Sequence, residues 1–200
     1  MTTRFFVFGA MSEGMVHWSK IADMIEASTG ALIRATAWRL KVGYPVLLKG
    51  GSSAVRGQLV SVKHSDLLIN LLDEFHGCSR LEPEKGLHRR EEVEVLADGA
   101  DQPVRAWVYY LNPKKLPGTA RPLEDGDWQR SLREDPALTD KLTERQRTYL
   151  MRLGAATGRE IVPINDMSLY RELMNLDLIV DKGRRLALSK FGQEVVRHLG

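Results

Sequence analysis

The stretch from Asn112 to Pro136 constrains this chain most. Pro113, Pro117, Gly118, Pro122, Gly126 and Pro136 recur too closely for a long helix or strand to form across it. It reads as a linker or wrapping segment, and it separates two parts of different character. The part before it is strand-dominated with two helices, and the part after it carries mainly helical periodicity. Two hundred residues suit one large domain, or one domain of about 130 residues with a small appendage. That length buries a core.

Arg4 to Phe8 is a continuous β-type apolar run ending at Gly9, which predicts a buried first strand meeting a turn. His17 to Ala27 reads as mostly helical, closed by Ser28, Thr29 and Gly30. Ala31 to Val42, interrupted by Gly43-Tyr44-Pro45, reads as strand, turn, strand. Gly50-Gly51-Ser52-Ser53 and the strand Val55 to Val62 that follows it look like a hairpin. Ser65 can cap a helix whose Leu68, Leu71, Leu72 and Phe75 fall within one arc. On that helix His76 lies beside the apolar arc and points inward, and Glu74 points to solvent. Glu91 to Leu96 and Val104 to Leu111 alternate as strands across the turn Ala97 to Asp101.

Beyond the breaker segment, Thr143 with Glu144 starts a helix running to about Leu153. A second helix spans about Asp166 to Leu176. Leu178 to Leu188 reads as a hairpin around Asp181-Lys182-Gly183, and Ser189 caps a last helix to Leu199. The expected class is α+β.

Composition excludes several functions. Hydrophobic residues at 43% and charged residues at 28% describe a globular chain. No apolar run reaches the roughly 18 residues that span a bilayer, so no membrane association is expected. One cysteine, Cys78, rules out an intrachain disulfide and any multi-cysteine metal site. The start has no small-residue cleavage site, and the expected location is cytoplasmic. The net charge of +3 is small. Split at Gly118, 15 basic residues stand against 13 acidic before it, and 14 against 13 after it, which argues against a dedicated nucleic-acid binder. The local basic excess is Lys182, Arg184, Arg185, Lys190 and Arg197. No phosphate-binding glycine motif is present. His76, His88, His17 and His64 share no spacing of the His-x3-His kind, so neither metal nor cofactor is expected.

Five ordered segments resemble the gamma-glutamylcyclotransferase-like family, which includes the avirulence-induced-gene-like proteins of plants. They are Phe6 to Met11, Gly43-Tyr44-Pro45, the strand Val55 to Val62 with its Gly57, Leu72 to Gly77, and His88-Arg89-Arg90 leading into Val93 to Val95. Gly126-Asp127-Trp128 looks like a sixth, near where such domains end. The resemblance covers residues 4–131 and sets the expected domains at 1–131, including the wrapping segment, and 132–200. It implies a mixed β-barrel with packed helices and a pocket for a γ-glutamyl group, whose α-amine attacks its own side-chain amide to give 5-oxoproline and a free amine. The substrate carboxylate is expected at the backbone of Phe8, Gly9, Ala10 and Met11, where Phe8 replaces the usual Tyr. The plain alternative is that Gly9 only lets a strand turn sharply.

The reaction needs a base to take a proton from the α-ammonium. The family's Glu ends a segment Leu-Asp-x-x-Glu-Gly, whereas this chain reads Leu72-Asp73-Glu74-Phe75-His76-Gly77. His76 therefore stands where the acid should be. Neutral imidazole can accept a proton, but it attracts an ammonium less than a carboxylate does. The alternatives are a core-edge histidine bonded to a carbonyl, or rescue by Glu74 after a two-residue slip. His88 falls where an aromatic Tyr is usual. Tyr44, Pro45, His88 and Tyr109 are the candidate pocket walls, with Tyr110 and Trp107 near them. Cys78 beside Arg80 is a candidate thiol nucleophile only if exposed.

The C-terminal module resembles part of a winged-helix domain, whose basic hairpin would lie on a DNA backbone, although only one helix is legible between Gly154 and Leu176. A small packing or dimerisation module is therefore the preferred reading over DNA contact, with Arg184 and Arg185 as an ordinary solvated turn. Across the whole chain, two functions stand side by side. One is a cyclotransferase-like protein with standard or altered chemistry on a γ-glutamyl compound. The other is a non-catalytic small-molecule sensor or adaptor.

Overall fold

The computed structural model describes residues 2–63, 65–157 and 160–199. Its contacts divide the chain into two units, 1–135 and 136–200. In the first, strands β1 (Thr3–Val7), β5 (Ala54–Val62), β2 (Ile25–Arg34), β6 (His88–Ala97) and β7 (Val104–Leu111) close a barrel in the order β1-β5-β2-β6-β7. Neighbours are antiparallel except β1 and β7, which meet in parallel at Phe5 and Trp107 and make the barrel mixed. A second sheet, β4-β3-β8, consists of β3 (Thr36–Arg39), β4 (Pro45–Leu48) and β8 (Arg121–Leu123). Helices α1 (Ser65–His76) and α2 (Trp128–Glu134) complete the unit.

Strand alternation sorts the apolar residues into two cores. Phe6, Ala31, Leu59, Val95 and Val108, one from each barrel strand, meet in one cluster that also holds Trp128. Phe5, Val7, Val60, Val62 and Tyr109 turn the other way and pack with Leu68 and Leu72 of α1 and with Ile21. The second core carries the end of α1, and with it His76.

Three local readings are corrected. Residues 17–27 do not form a helix: two 3-10 turns, Trp18–Lys20 and Ala22–Met24, lead into β2, so Ser28, Thr29 and Gly30 lie within a strand. Nine residues of β2 pair with β5, from Ile25 with Val62 to Arg34 with Ala54, and these ladder bonds override a weak local helical pattern. Gly50 to Ser53 does turn the chain, but no hairpin results. β4 pairs with β3, while β5 joins β1 and β2, so the chain changes sheets there. The wrapping segment is more ordered than its prolines suggest. Its β8 pairs with β3 and its Trp128 is 2% exposed, with the indole N–H donating to the Arg56 carbonyl at 2.7 Å.

The second unit holds α3 (Leu138–Lys141), α4 (Glu144–Ala155), α5 (Met167–Asn175), the hairpin β9 (Ile179–Asp181) and β10 (Leu186–Leu188), and α6 (Lys190–Arg197). Three helices of this unit carry side-chain caps at their starts, whereas Ser65, expected as a cap, is the first residue of α1 itself. Thr143 and Gln146 form a capping box on α4, Asp166 accepts from the amides of Ser168 and Leu169, and Ser189 accepts from that of Gly192. Leu150, Leu173, Leu178, Ile179 and Val195 are buried here. The single-turn α3 was not legible in the sequence. Among the described residues no helix is long and apolar enough to cross a membrane.

Candidate active site

Helix α1 ends in a tight reversal. Gly77 adopts φ +61, its N–H donates to the Glu74 carbonyl at 3.0 Å, and the Cys78 N–H donates to that of Asp73 at 2.8 Å. This double bond with a left-handed residue is the usual glycine stop of a helix. It makes His76 the last helical residue and turns the following loop back across the strands.

The imidazole of His76 is half-buried and lies flat on the ring of Tyr109, with centroids 4.3 Å apart and planes 15° apart. The rings of His88 and Phe75 meet it edge-on at 4.8 and 5.0 Å. Nδ1 of His88 lies 2.7 Å from the His76 carbonyl. A carbonyl only accepts, so Nδ1 of His88 carries the hydrogen. Glu74 is exposed on the far side of the unbroken helix, as expected, so no slip brings it to the position of His76.

The acid buried at this end of α1 is Asp73, 6% exposed. Its Oδ1 accepts from Tyr109 Oη at 2.8 Å and Arg90 Nη1 at 2.7 Å, and its Oδ2 accepts from Arg80 Nε at 3.0 Å. Arg80 also donates to Asn70 Oδ1 at 2.5 Å. Arg90 lies over the Trp107 ring, 5.0 Å from its centroid. Burial pushes the Tyr109 hydroxyl far above its ordinary value, with the bond to Arg90 pulling down and the bond to Asp73 pushing up. Tyr109 is therefore a neutral donor throughout the physiological range. Burial, followed by the Asp73 charge, pushes the Cys78 thiol up to about 11. Cys78 is half-buried, and the raised thiol value argues against the nucleophile reading.

The first turn lies on the same side. Gly9 has φ +61 and packs so closely on β4 that a Cβ there would sit 3.0 Å from Pro45 Cγ. Gly9–Met11 form one buried 3-10 turn, closed by the Ser12 N–H on the Gly9 carbonyl at 3.0 Å. The His17 N–H donates to the Ala10 carbonyl at 2.9 Å, while its ring meets Phe75 edge-on at 4.8 Å. Met11 shares the apolar cluster of Tyr109. Met11 and Tyr109 thus share one core, with the His76 ring on Tyr109 and the His88 ring against it, while Pro45 packs on Gly9 in the turn that leads to Met11. Tyr44 is buried in the turn before β4. The side chain of Phe8 departs, its ring stacking on Phe6 at 6.3 Å in the other core.

Asp73, Arg80 and Arg90 were missed by sequence reasoning. Alternation along β6 does place Arg90 on the face of His88, but its partner is 17 residues away. No cluster of three metal-ligating side chains occurs among the described residues, and His64 lies outside them.

A search of curated proteins gives no match. Among solved structures, an AIG2-like protein of Mus musculus is 18% identical, covering 58% of this chain and 80% of that one, with a TM-score of 0.43. An Arabidopsis thaliana protein is 19% identical over 83% and 96% of the two chains, with a TM-score of 0.49. YkqA of Bacillus subtilis is 16% identical with a TM-score of 0.48, and the match covers 66% of this chain but only 41% of YkqA. The model of the gamma-glutamyl cyclotransferase, AIG2-like family matches residues 5–130. That span takes in the barrel strands from Phe5 of β1 to the end of β7 and the whole cluster around His76, and with it the chain belongs to the gamma-glutamyl cyclotransferase, AIG2-like family.

Proposed function

We propose that the N-terminal unit binds a γ-glutamyl amine or peptide and cyclises it to 5-oxoproline, with His76 as the base. The observation that carries this reading is the placement of His76 at the end of α1, on Tyr109 and beside His88, while the nearby carboxylates are engaged or turned away. Asp73 is held by two arginines and Tyr109, and Glu74 faces solvent. In this reading the neutral imidazole takes a proton from the substrate α-ammonium. The freed amine forms a C–N bond to the side-chain carbonyl carbon, the ring nitrogen gives up a second proton as the original amide C–N bond breaks, and the departing amine takes up both protons and leaves as an ammonium. The turn Gly9–Met11 holds the substrate carboxylate on its amides, and Tyr44, Pro45 and His88 wall the γ-glutamyl group.

The test is 5-oxoproline release from a panel of γ-glutamyl amines and dipeptides across pH. Expected is a kcat/KM that rises with pH as the imidazole loses its proton, lost about 10²-fold or more in His76→Ala. In His76→Glu the rising limb moves to lower pH, since a carboxylate is the weaker base. A wild type that releases no product at any pH overturns the base role. The packing of His76 between three rings favours one second reading, a non-catalytic sensor, which would still bind 5-oxoproline in calorimetry.

We read the C-terminal unit as winged-helix-like, on the order α4, α5, hairpin, α6. We place the protein in the cytoplasm, where an unpaired cysteine suits the reducing conditions.

A further inference from the structure

We infer that the C-terminal unit is a duplex-DNA-binding module, holding the phosphate backbone with the β9–β10 hairpin and offering the open face of α5 to the major groove. This inference is independent of the reading of His76. Residues 1–135 carry 18 basic and 18 acidic side chains, and residues 136–200 carry 11 and 8. The entire formal charge of +3 therefore belongs to the smaller unit.

That charge is concentrated on the hairpin. Lys182, Arg184 and Arg185 are all exposed at its tip. The tip is closed by the Lys182 N–H on the Arg185 carbonyl at 2.9 Å and the Arg184 N–H on the Lys182 carbonyl at 3.0 Å, which fixes the backbone that presents them. The neighbouring acid, Asp181, accepts from the Gly183 N–H at 2.7 Å. Among the described residues, Lys182 and Arg184 have no carboxylate partner, and neither do Lys190, which follows β10, and Arg171 of α5. Two acids beside α5, Asp166 and Glu172, are already committed: both pair with Arg145, at 2.5 and 3.0 Å.

Helix α5 is built to be read from one side. Leu169 and Leu173 are buried, while Met167, Arg171 and Asn175, spaced by four, are exposed along the opposite face. With its side chains a helix is about 10–12 Å across, a match for a major groove about 12 Å wide, and the nine residues of α5 run about 14 Å along it. Arg and Asn are the side chains that bond guanine and adenine edges there. The deep, narrow major groove of A-form RNA does not admit a helix, so the occupant is duplex DNA. The hairpin follows α5 by three residues, Leu176 to Leu178, which sets basic side chains beside the helix that enters the groove.

The test is fluorescence anisotropy of the full chain with a labelled mixed-sequence DNA duplex at several salt concentrations between about 50 and 200 mM. Saturable binding that weakens with salt is expected. Replacing Lys182 and Arg184 together by Ala should weaken it at least tenfold at low salt and make the salt slope shallower by about 2, since each lost phosphate contact removes about 0.9. A control pair in the other unit, Lys114→Ala with Lys115→Ala, removes the same charge and should leave binding unchanged. No saturable binding at low salt overturns the inference, as does an equal loss in the control pair. Equal or tighter binding to an RNA duplex of the same sequence overturns it too.

Discussion

Helices α1 and α5 end by the same device with different residues. Gly77 takes the left-handed position after α1, and Asp177 takes it after α5, with φ +61 and +59. In both, one N–H bonds three residues back and the next five back, to Glu74 and Asp73 in the first and to Met174 and Leu173 in the second. Glycine holds that conformation without a Cβ clash, whereas an aspartate pays a local strain of about 1 kcal/mol. The difference follows what each end carries. The α1 end anchors a buried carboxylate and the aromatic stack at His76, so its geometry is built without strain. The α5 end only launches the hairpin.

The largest break of this contrast is Asp73→Ala. It leaves Arg90 near a buried tyrosine without its acid, and a loss of about 3 to 5 kcal/mol is expected. All four tryptophans lie in the first unit, so a urea titration followed by tryptophan emission isolates that loss. A midpoint shift worth less than about 1 kcal/mol would mean that Asp73 is not the anchor of this end. Next comes Gly77→Ala, which forces a Cβ into the left-handed region and within 3.3 Å of Leu87 Cβ. Tryptophan-detected stability should fall by about 1 to 2 kcal/mol. Asp177→Gly is the mirror experiment and should raise the stability of the second unit by about 0.5 to 1 kcal/mol, read by far-UV circular dichroism.

The smallest effect separates the units by pH. In the first, the Cys78 thiol is pushed up to about 11 by burial and Tyr110 to about 12 by burial and then Glu91. The unfolded chain therefore releases these protons first, and tryptophan-detected stability should decline as pH rises above about 9. In the second, bonds from the Leu169 amide to Asp166 and from Ser168 to Glu172 hold both carboxyls below their ordinary values of 3.8 and 4.5. Their contribution is present above those values and is lost as pH falls below them. Urea midpoints at pH 3, 7 and 10, followed by both signals, check the two directions together.

Much of this was legible before any coordinates. A continuous apolar run announced β1, the strand pattern after a glycine turn announced β5 and alternation announced β6 and β7, while Thr143 and Ser189 marked the starts of two helices, because run length, alternation and capping are local properties. The ordered segments also pointed to the family and to His76 in place of an acid. Residues 17–27 misled because 18–24 form only 3-10 turns and the stretch from Ile25 pairs with β5 residues some 35 positions away. Likewise, a turn at Gly50 looks the same whether the next strand pairs back or leaves for another sheet. The acid that matters at the α1 end was equally hidden, since nothing near Asp73 in the chain names Arg90 or Tyr109 as its partners.

The sequence alone determined the element types, the interruption between two parts and the substitution at position 76, all of which depend on residues within a turn or two of one another. Tertiary structure decided the closure of the barrel, the capture of Asp73, the flat stacking of His76 on Tyr109 and the unit boundary at Asp135. That boundary shows the first unit to be neutral and the second to carry the charge, which a division at Gly118 obscured. Each of these depends on which distant strands pair and which side chains then share a buried volume, and the free energy of such contacts is written only in the folded arrangement.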